Sequence, residues 1–402
     1  MEFSNDNAND EFIFKIEPYP FQRDILEKLQ AERSIHNRYK NLVVAATGTG
    51  KTVISAFDYK NFCKLTPNQK NRLLFIAHRQ EILKQNLRTF RGILRDNNFG
   101  DLLYGNKKTE QIDHLFMSIQ SFNSKDFLNK VPQDFYDYIV VDEFHHAAAP
   151  SYQKLLKYFS PKVLLGLTAT PERLDGHDIC LEYFDGYTAA EIRLPEAINR
   201  QLLVPFQYFG VTDNTDLSSI NFARGRYDET ELENVYIMDD ARTFNIIKAV
   251  RKYVTDMKEV IGLGFCVTVK HAEYMAKRFN EAGIPSIALH GQSSQEEREQ
   301  GRTKLVSKKI NFIFTVDLYN EGVDIPEINT VLFLRPTESM TVFVQQLGRG
   351  LRICDGKEVL TVLDFIGQQN KKYSFESKLR ALIDKSKNSL EDEVKQGFTN
   401  LP

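Results

Sequence analysis

Two tandem α/β domains, each a mostly parallel sheet flanked by helices, are the fold this sequence predicts. Three observations carry that expectation. Short apolar runs rich in β-branched residues alternate with helical patterns in the first half. A second series with the same alternation begins near residue 240. A glycine-rich loop joins the first apolar run to the helical pattern after it.

The first series comprises Leu42–Ala45, Leu73–Ala77, Leu115–Ile119, Tyr138–Val141 and Val163–Leu167. Each is short and unbroken by charge, as a strand covered on both faces should be. Gln80–Leu94 and Tyr152–Phe159 between them carry helical spacing. The second series is Val260–Val267, Ser286–Leu289, Phe312–Val316, Val331–Leu334 and Val359–Leu363. His271–Ala282 and Gln295–Leu305 supply its helices. Residues 1–14 read as a disordered acidic lead-in, 15–210 as the first domain and 211–238 as a polar linker. Residues 239–396 read as the second domain, and 397–402 as a tail. Leu379, Leu382, Ile383, Leu390 and Val394 predict a closing amphipathic helix over Ser377–Lys395.

Bulk properties narrow the class. A chain of 402 residues exceeds one ordinary core. Its 42% hydrophobic and 26% charged content is globular. No apolar run reaches the ~18 residues of a membrane span, and Met1–Glu11 has neither the basic nor the apolar region of a secretory signal. Cys63, Cys180, Cys266 and Cys354 are scattered without a C-x-x-C pair, which fits a reducing cytoplasm. The net charge of −2 gives no overall attraction to nucleic acid, so such a partner needs local basic patches.

The chemistry starts at Asn41-Leu-Val-Val-Ala-Ala-Thr-Gly-Thr-Gly-Lys-Thr52. It is a strand, a phosphate-binding loop and the start of a helix, with Ala45 where the stricter pattern has Gly. Gly48 and Gly50 allow a tight turn, so that backbone amides from Thr47 to Thr52 converge on phosphate oxygens. Lys51 adds a point charge for the terminal phosphates and Thr52 a hydroxyl for Mg²⁺.

Tyr138-Ile-Val-Val-Asp-Glu-Phe-His-His146 ends a strand in two carboxylates. An isolated Asp-Glu is ordinarily an acidic turn. Downstream of a phosphate loop, Asp142 is expected to hold Mg²⁺ and Glu143 to orient and deprotonate the attacking water. His145 and His146 lack the H-E-x-x-H spacing of a zinc site, so His145 is assigned to coupling. Arg349 and Arg352, in Gln345-Gln-Leu-Gly-Arg-Gly-Leu-Arg352, would share one face of a helix. They read either as a solvated or phosphate-binding basic face, or as arginine fingers for a γ-phosphate.

In order, these strings resemble the motifs of superfamily 2 helicases over nearly the whole chain. Tyr19-Pro-Phe-Gln22 resembles the Q motif and Ala46–Thr52 motif I. Ala77-His78-Arg79 and Phe116–Gln120 resemble the nucleic-acid motifs that follow, and Asp142-Glu-Phe-His145 a DExH motif II. Leu167–Thr170 resembles motif III, Gly264–Thr268 motif IV, Thr315–Pro326 motif V and Gln345–Arg352 motif VI. The later strings look most like motor subunits of type I and type III restriction enzymes. They also resemble bacterial proteins with a phospholipase-D-like nuclease ahead of the motor. No His-x-Lys nuclease signature occurs here.

The resemblance implies RecA-like domains, ATP and Mg²⁺ as cofactors, and movement on DNA more than RNA. It implies that Gln22 reads adenine and that Gly322 and Asp324 approach the nucleotide. His78, Arg79, Ser118, Gln120, Thr268, His290 and Thr315 would contact nucleic acid, while Thr168, Thr170 and Gln345 would join His145 in coupling. Many relatives have Arg where this chain has Gln346, which leaves the division of work between Arg349 and Arg352 open. Phe12, Phe14, Tyr19 and Phe21 compete to stack on adenine. Lys84, Arg88, Arg91 and Arg95 form a cationic face on the Gln80–Leu94 helix, equally readable as a phosphate contact or a solvated surface. The expected protein is a two-lobed ATPase motor with nucleotide between its lobes. Its rivals are a duplex translocase without strand separation, a nucleotide-gated sensor or scaffold in a defence system, and a metabolic phosphate-loop kinase. The sequence also allows nuclease or other domains outside these residues.

Overall fold

The computed structural model describes residues 16–369 apart from 106, 108, 125–126, 128–130, 172–177, 224–225, 317–324 and 337–338. The expected lead-in, the closing amphipathic helix and the tail all lie outside the described residues, as do Phe12, Phe14, Gly322 and Asp324. The chain divides into two compact units: Met1–Ala45 with Gly50–Glu191, and Ala46–Thr49 with Ile192–Pro402.

In the first half, β1 (Lys40–Ala45), β2 (Leu73–Ala77), β3 (Asp101–Leu103), β4 (His114–Ser118), β5 (Tyr138–Val141), β6 (Val163–Thr168) and β7 (Ala190–Ile192) form one sheet. Its order is β3-β4-β2-β5-β6-β1-β7. Every register among β1 to β6 is parallel. The central strands are buried along nearly their whole length, which is why they read as plain apolar runs. The helices are α1 (Pro20–Ser34), α2 (Lys51–Leu65), α3 (Gln80–Leu94), α4 (Ile119–Ser124), α5 (Pro150–Tyr158), α6 (Ile179–Phe184) and α7 (Leu194–Asn199).

A buried ion pair ties the first helices to the sheet. Arg33 of α1 donates to both carboxylate oxygens of Asp58 on α2, at 2.8 and 2.6 Å. Asp58 also accepts from the Tyr138 hydroxyl on β5, and Arg33 Nε donates to Asn41 Oδ1 on β1 at 2.8 Å. Burial disfavours the Arg33 charge, but Asp58 and Tyr138 more than offset this and raise its pKa. Asp58→Ala leaves that guanidinium buried without its partner and should cost about 3–5 kcal/mol of unfolding free energy. A denaturant titration showing almost no loss would contradict this clamp.

In the second half the chain runs through β8 (Phe206–Asp216), β9 (Phe222–Ala223), β10 (Arg226–Tyr227), α8 (Glu229–Met238), α9 (Asp240–Tyr253), β11 (Gly262–Phe265) and α10 (Val269–Glu281). It continues with β12 (Ser286–Ala288), α11 (Gln295–Val306), β13 (Phe312–Thr315), β14 (Thr330–Phe333), α12 (Met340–Gly350) and β15 (Leu360–Gln368). The sheet order is β12-β13-β11-β14-β15-β8, again parallel throughout.

The linker expected at 211–238 is replaced by ordered structure. β8 runs through the expected boundary at 210 and pairs with β15 from Phe206↔Leu360 onward. Its outer half is polar because it is an edge strand, which made it look like a connection. The β9–β10 hairpin and α8 fill the rest and bury Leu217, Ile220, Tyr227, Leu232 and Tyr236 around Val267.

Candidate active site

β1 ends at Ala45 and α2 starts at Lys51, so the loop between them is short and tightly turned. Gly48 has φ 94°, and Gly50 caps α2 in the left-handed region at φ 80°. At Gly50 a Cβ would lie 2.6 Å from Gln22 Nε2, so any larger residue would displace that amide as well as strain the left-handed backbone. Gln22 is buried on α1, and its Oε1 accepts from Tyr19 N at 3.0 Å. Thr47 and Thr49 are buried, and Thr49 Oγ1 donates to Ala46 O at 2.7 Å.

Lys51 Nζ lies on the loop itself, donating to Ala45 O at 3.2 Å. Thr52 Oγ1 donates to Asn86 Oδ1 of α3 at 2.7 Å. Asn86 was missed in the sequence, although it interrupts the apolar stripe of Leu83, Leu87 and Phe90. A buried polar residue in such a stripe needs a partner, and that was the available signal.

Asp142 and Glu143 follow β5, two strands from β1. Asp142 is buried, and its Oδ1 accepts from Glu143 N at 3.0 Å. Glu143 takes a left-handed conformation, φ 49° and ψ 54°, before a short 3-10 turn at Phe144–His146. Phe144 anchors this turn: it is fully buried, and a Cβ at Gly166 of β6 would come within 2.8 Å of its ring. A strained non-glycine residue held by such packing is a common feature of active sites.

Glu143 Oε2 is 3.3 Å from His145 Nδ1. Burial alone would raise its pKa, but the His145 hydrogen bond and the charges of Lys51, His145 and His146 outweigh it and hold the carboxyl at about 2. It is therefore a carboxylate at neutral pH, better at orienting a water than at storing its proton. His145 Nδ1 is also 3.3 Å from Thr168 Oγ1. That hydroxyl donates to Thr170 O at 2.9 Å, so it receives from the imidazole. Both Glu143 and Thr168 therefore lie 3.3 Å from the same imidazole nitrogen. Glu143, His145, Thr168 and Thr170 follow one another at contact distance in the first unit, and the Lys51 charge acts on Glu143.

In the second unit, α12 carries Gln345 and Gln346, both buried, and Arg349 in its last turn. Gln345 Nε2 has no hydrogen-bond partner among the described residues. The helix ends at Gly350, so Arg352 is not on one helical face with Arg349 as expected. Gly350 is required where it stands, because a Cβ there would lie 2.4 Å from Leu360 Cδ1. Burial lowers the Arg352 pKa, though a guanidinium stays charged.

The expected nucleic-acid residues divide. His78 and Gln120 are exposed and bonded to each other at 3.1 Å, and Arg79 occupies the N-cap of α3. His290 is half-buried, with its backbone N donating to Ser293 Oγ at 3.1 Å. Ser118 departs from expectation: it is buried and bonded to Ser121 Oγ at 3.0 Å. Thr315 is 0% exposed. Both stand at the ends of strands buried on both faces, so their hydroxyls are covered. Thr268 caps α10 and donates to Glu233. On α3, Lys84, Arg88 and Arg95 are exposed, whereas Arg91 is spent on the carbonyls of Phe99 and Gly100 at 2.8 and 2.9 Å. Of the aromatic candidates, Tyr19 is 68% exposed and stacks on buried Phe21.

Comparison with known proteins agrees with this architecture. Residues 15–173 match the family model of the type III restriction enzyme res subunit, and residues 246–354 match the helicase conserved C-terminal domain. A 51.5 kDa protein of a Lactococcus phage is 27% identical over 80% of this chain and 64% of its own length. The type I restriction enzyme EcoAI endonuclease subunit of Escherichia coli is 26% identical over 87% of this chain and 46% of that protein. The solved structure of the ATP-dependent type ISP restriction-modification enzyme LlaBIII bound to DNA aligns with a TM-score of 0.69 at 16% identity, over 92% of this chain and 30% of that one. The chain thus spans between about half and two thirds of these curated relatives. No described helix is long and apolar enough to cross a membrane. With two parallel-sheet units, the ordered motifs and both family models, the chain contains a superfamily 2 helicase core similar to the motor subunits of restriction enzymes.

Proposed function

We propose that this chain is a nucleic-acid-dependent ATPase that moves on DNA. The observation that carries the proposal is the connection from the phosphate loop through Glu143 and His145 to Thr168, because it joins a hydrolytic carboxylate to the motif that follows the next strand. Backbone amides from Thr47 to Gly50 and the Lys51 ammonium would hold the phosphates. Thr52 and Asp142 are oxygen donors that suit Mg²⁺, a hard cation that keeps much of its water. Bound there, the ion would neutralise charge on the phosphates. Glu143 orients the attacking water. Arg349 serves turnover as an arginine finger with Arg352 as its partner, Gln345 serves coupling, and the nucleotide-binding role of Gly322 and Asp324, which lie outside the described residues, rests on the motif resemblance alone.

DNA is favoured over RNA because restriction-enzyme motors are among the relatives. A second reading, translocation on duplex DNA without strand separation, rests on the same relatives. We place the protein in the cytoplasm, since its four cysteines are unpaired. Nuclease or other domains, where present, would lie outside these residues.

The deciding experiment compares ATP turnover without nucleic acid and with single-stranded DNA, duplex DNA or RNA, in the wild type and in Arg349→Ala. DNA should stimulate the wild type most, and Arg349→Ala should lose about 10³-fold in turnover while still binding ATP. A rate indifferent to every nucleic acid would refute the motor. Normal turnover in Arg349→Ala would refute the finger. A duplex-stimulated enzyme that displaces a triplex strand but leaves plain duplex intact would establish the second reading.

A further inference from the structure

The segment expected to be a linker places an acid at the start of α10. Glu233 is 8% exposed, and its Oε2 accepts from the Thr268 hydroxyl. Its Oε1 lies 3.4 Å from Lys270 Nζ. Thr268 is the N-cap of α10, its Oγ1 accepting from His271 N at 3.2 Å. The carboxylate therefore occupies a seat made of a hydroxyl, an ammonium and the positive end of a 13-residue helix. Such a seat suits one anionic oxygen group of any origin.

The rest of α8 explains why the acid stays there. Leu232 and Tyr236 bury against Val267, the residue just before Thr268. The Asp228 side chain caps the helix by accepting from Thr230 N and Glu231 N. Glu229 and Glu231 beside it are also acidic, so α8 brings negative charge to this edge of the second unit.

Resting on the reading that this chain binds DNA, we infer that Glu233 is an internal stand-in for a backbone phosphate, holding the Thr268–Lys270 seat closed until nucleic acid displaces it. The carboxylate is tethered, so it competes at a high effective concentration without a second molecule. Displacement exposes Thr268 and Lys270 to the sugar-phosphate backbone and returns Glu233 to water. The arrangement lowers DNA affinity in the resting protein and makes engagement depend on a shift of α8. Lys270 is the natural pivot, because its side chain is 75% exposed and can turn from carboxylate to phosphate.

The test measures binding of a fluorescent single-stranded oligonucleotide to the full chain as wild type, Glu233→Gln and the double variant Glu233→Gln with Lys270→Ala. Glutamine keeps an acceptor for Thr268 and removes the charge, so a purely structural contact would change little. At about 100 mM salt, Glu233→Gln should bind roughly three- to tenfold tighter, and the slope of log K against log salt should steepen by about 0.7 for the one phosphate gained. Adding Lys270→Ala should cancel the gain. Should Glu233→Gln not fold, as judged by its thermal melt, Glu233→Ala carries the same comparison. Wild-type affinity and slope in the folded variant overturn the stand-in alone. Failure of every variant, wild type included, to bind DNA overturns the motor reading and the stand-in with it.

Discussion

Lys51→Ala should abolish ATP turnover, with a loss of at least about 10²–10³-fold at saturating DNA. Lys51 is the first residue of α2, and its ammonium rests on Ala45 O at 3.2 Å, inside the loop that would cradle phosphate. Two glycines at positive φ and the start of α2 fix that position. The same charge also acts on Glu143, helping to keep it a carboxylate. Alanine therefore removes both the cation facing the phosphates and part of the field that sets the acid. Arginine should not restore activity, because its broad planar head does not fit a site built for a point charge. Half-buried Lys51 makes no ion pair among the described residues, so the fold should survive the change. Steady-state turnover together with a thermal melt checks both points. A folded Lys51→Ala protein that keeps a tenth of wild-type turnover would remove this loop from the catalytic account.

Glu143→Gln should retain ATP binding while lowering hydrolysis by about 10²–10⁴-fold. The substitution conserves shape, and the amide oxygen can still accept from His145 Nδ1. What disappears is the negative charge that burial opposes and that Lys51, His145 and His146 sustain. A neutral amide can neither polarise nor accept a proton from an attacking water. Nucleotide affinity should hold or rise, since one buried negative charge near the phosphates is gone. Equilibrium binding of a fluorescent ATP analogue beside single-turnover hydrolysis separates the two quantities. If hydrolysis persists near the wild-type rate, another group must act on the water, and the chain to Thr168 would lose its catalytic end.

Much of the fold was legible in the sequence because buried parallel strands leave an unmixed apolar signature. Leu73–Ala77 and Gln80–Leu94 form the expected strand and helix with the expected bounds. Edge elements escaped for the opposite reason. β3 and β7 are three residues each, and the outer half of β8 carries Thr, Asp and Asn where a covered strand would carry Val or Ile. The arginine pair was misread on one detail: helical spacing extends to Arg352, but the chain leaves the helix after Gly350, so spacing no longer decides direction. The hydroxyls of Ser118 and Thr315 show a similar limit. Their chemistry suits a phosphate, yet both sit on strands covered on both faces.

By itself the sequence determined the local units: a strand, loop and helix that can hold phosphate, and a strand that ends in Asp142 and Glu143. Those follow from chain-adjacent residues, whose relative positions are set by covalent geometry and short-range hydrogen bonds. Only the tertiary structure decided which side chains meet. Sheet order brings β5 and β6 together, and so places Glu143, His145 and Thr168 in one chain. Helix packing gives Thr52 its partner Asn86, 34 residues away. The fold of a supposed linker gives Thr268 its partner Glu233, 35 residues away. Such pairings depend on how surfaces bury against one another, which no spacing along the chain encodes.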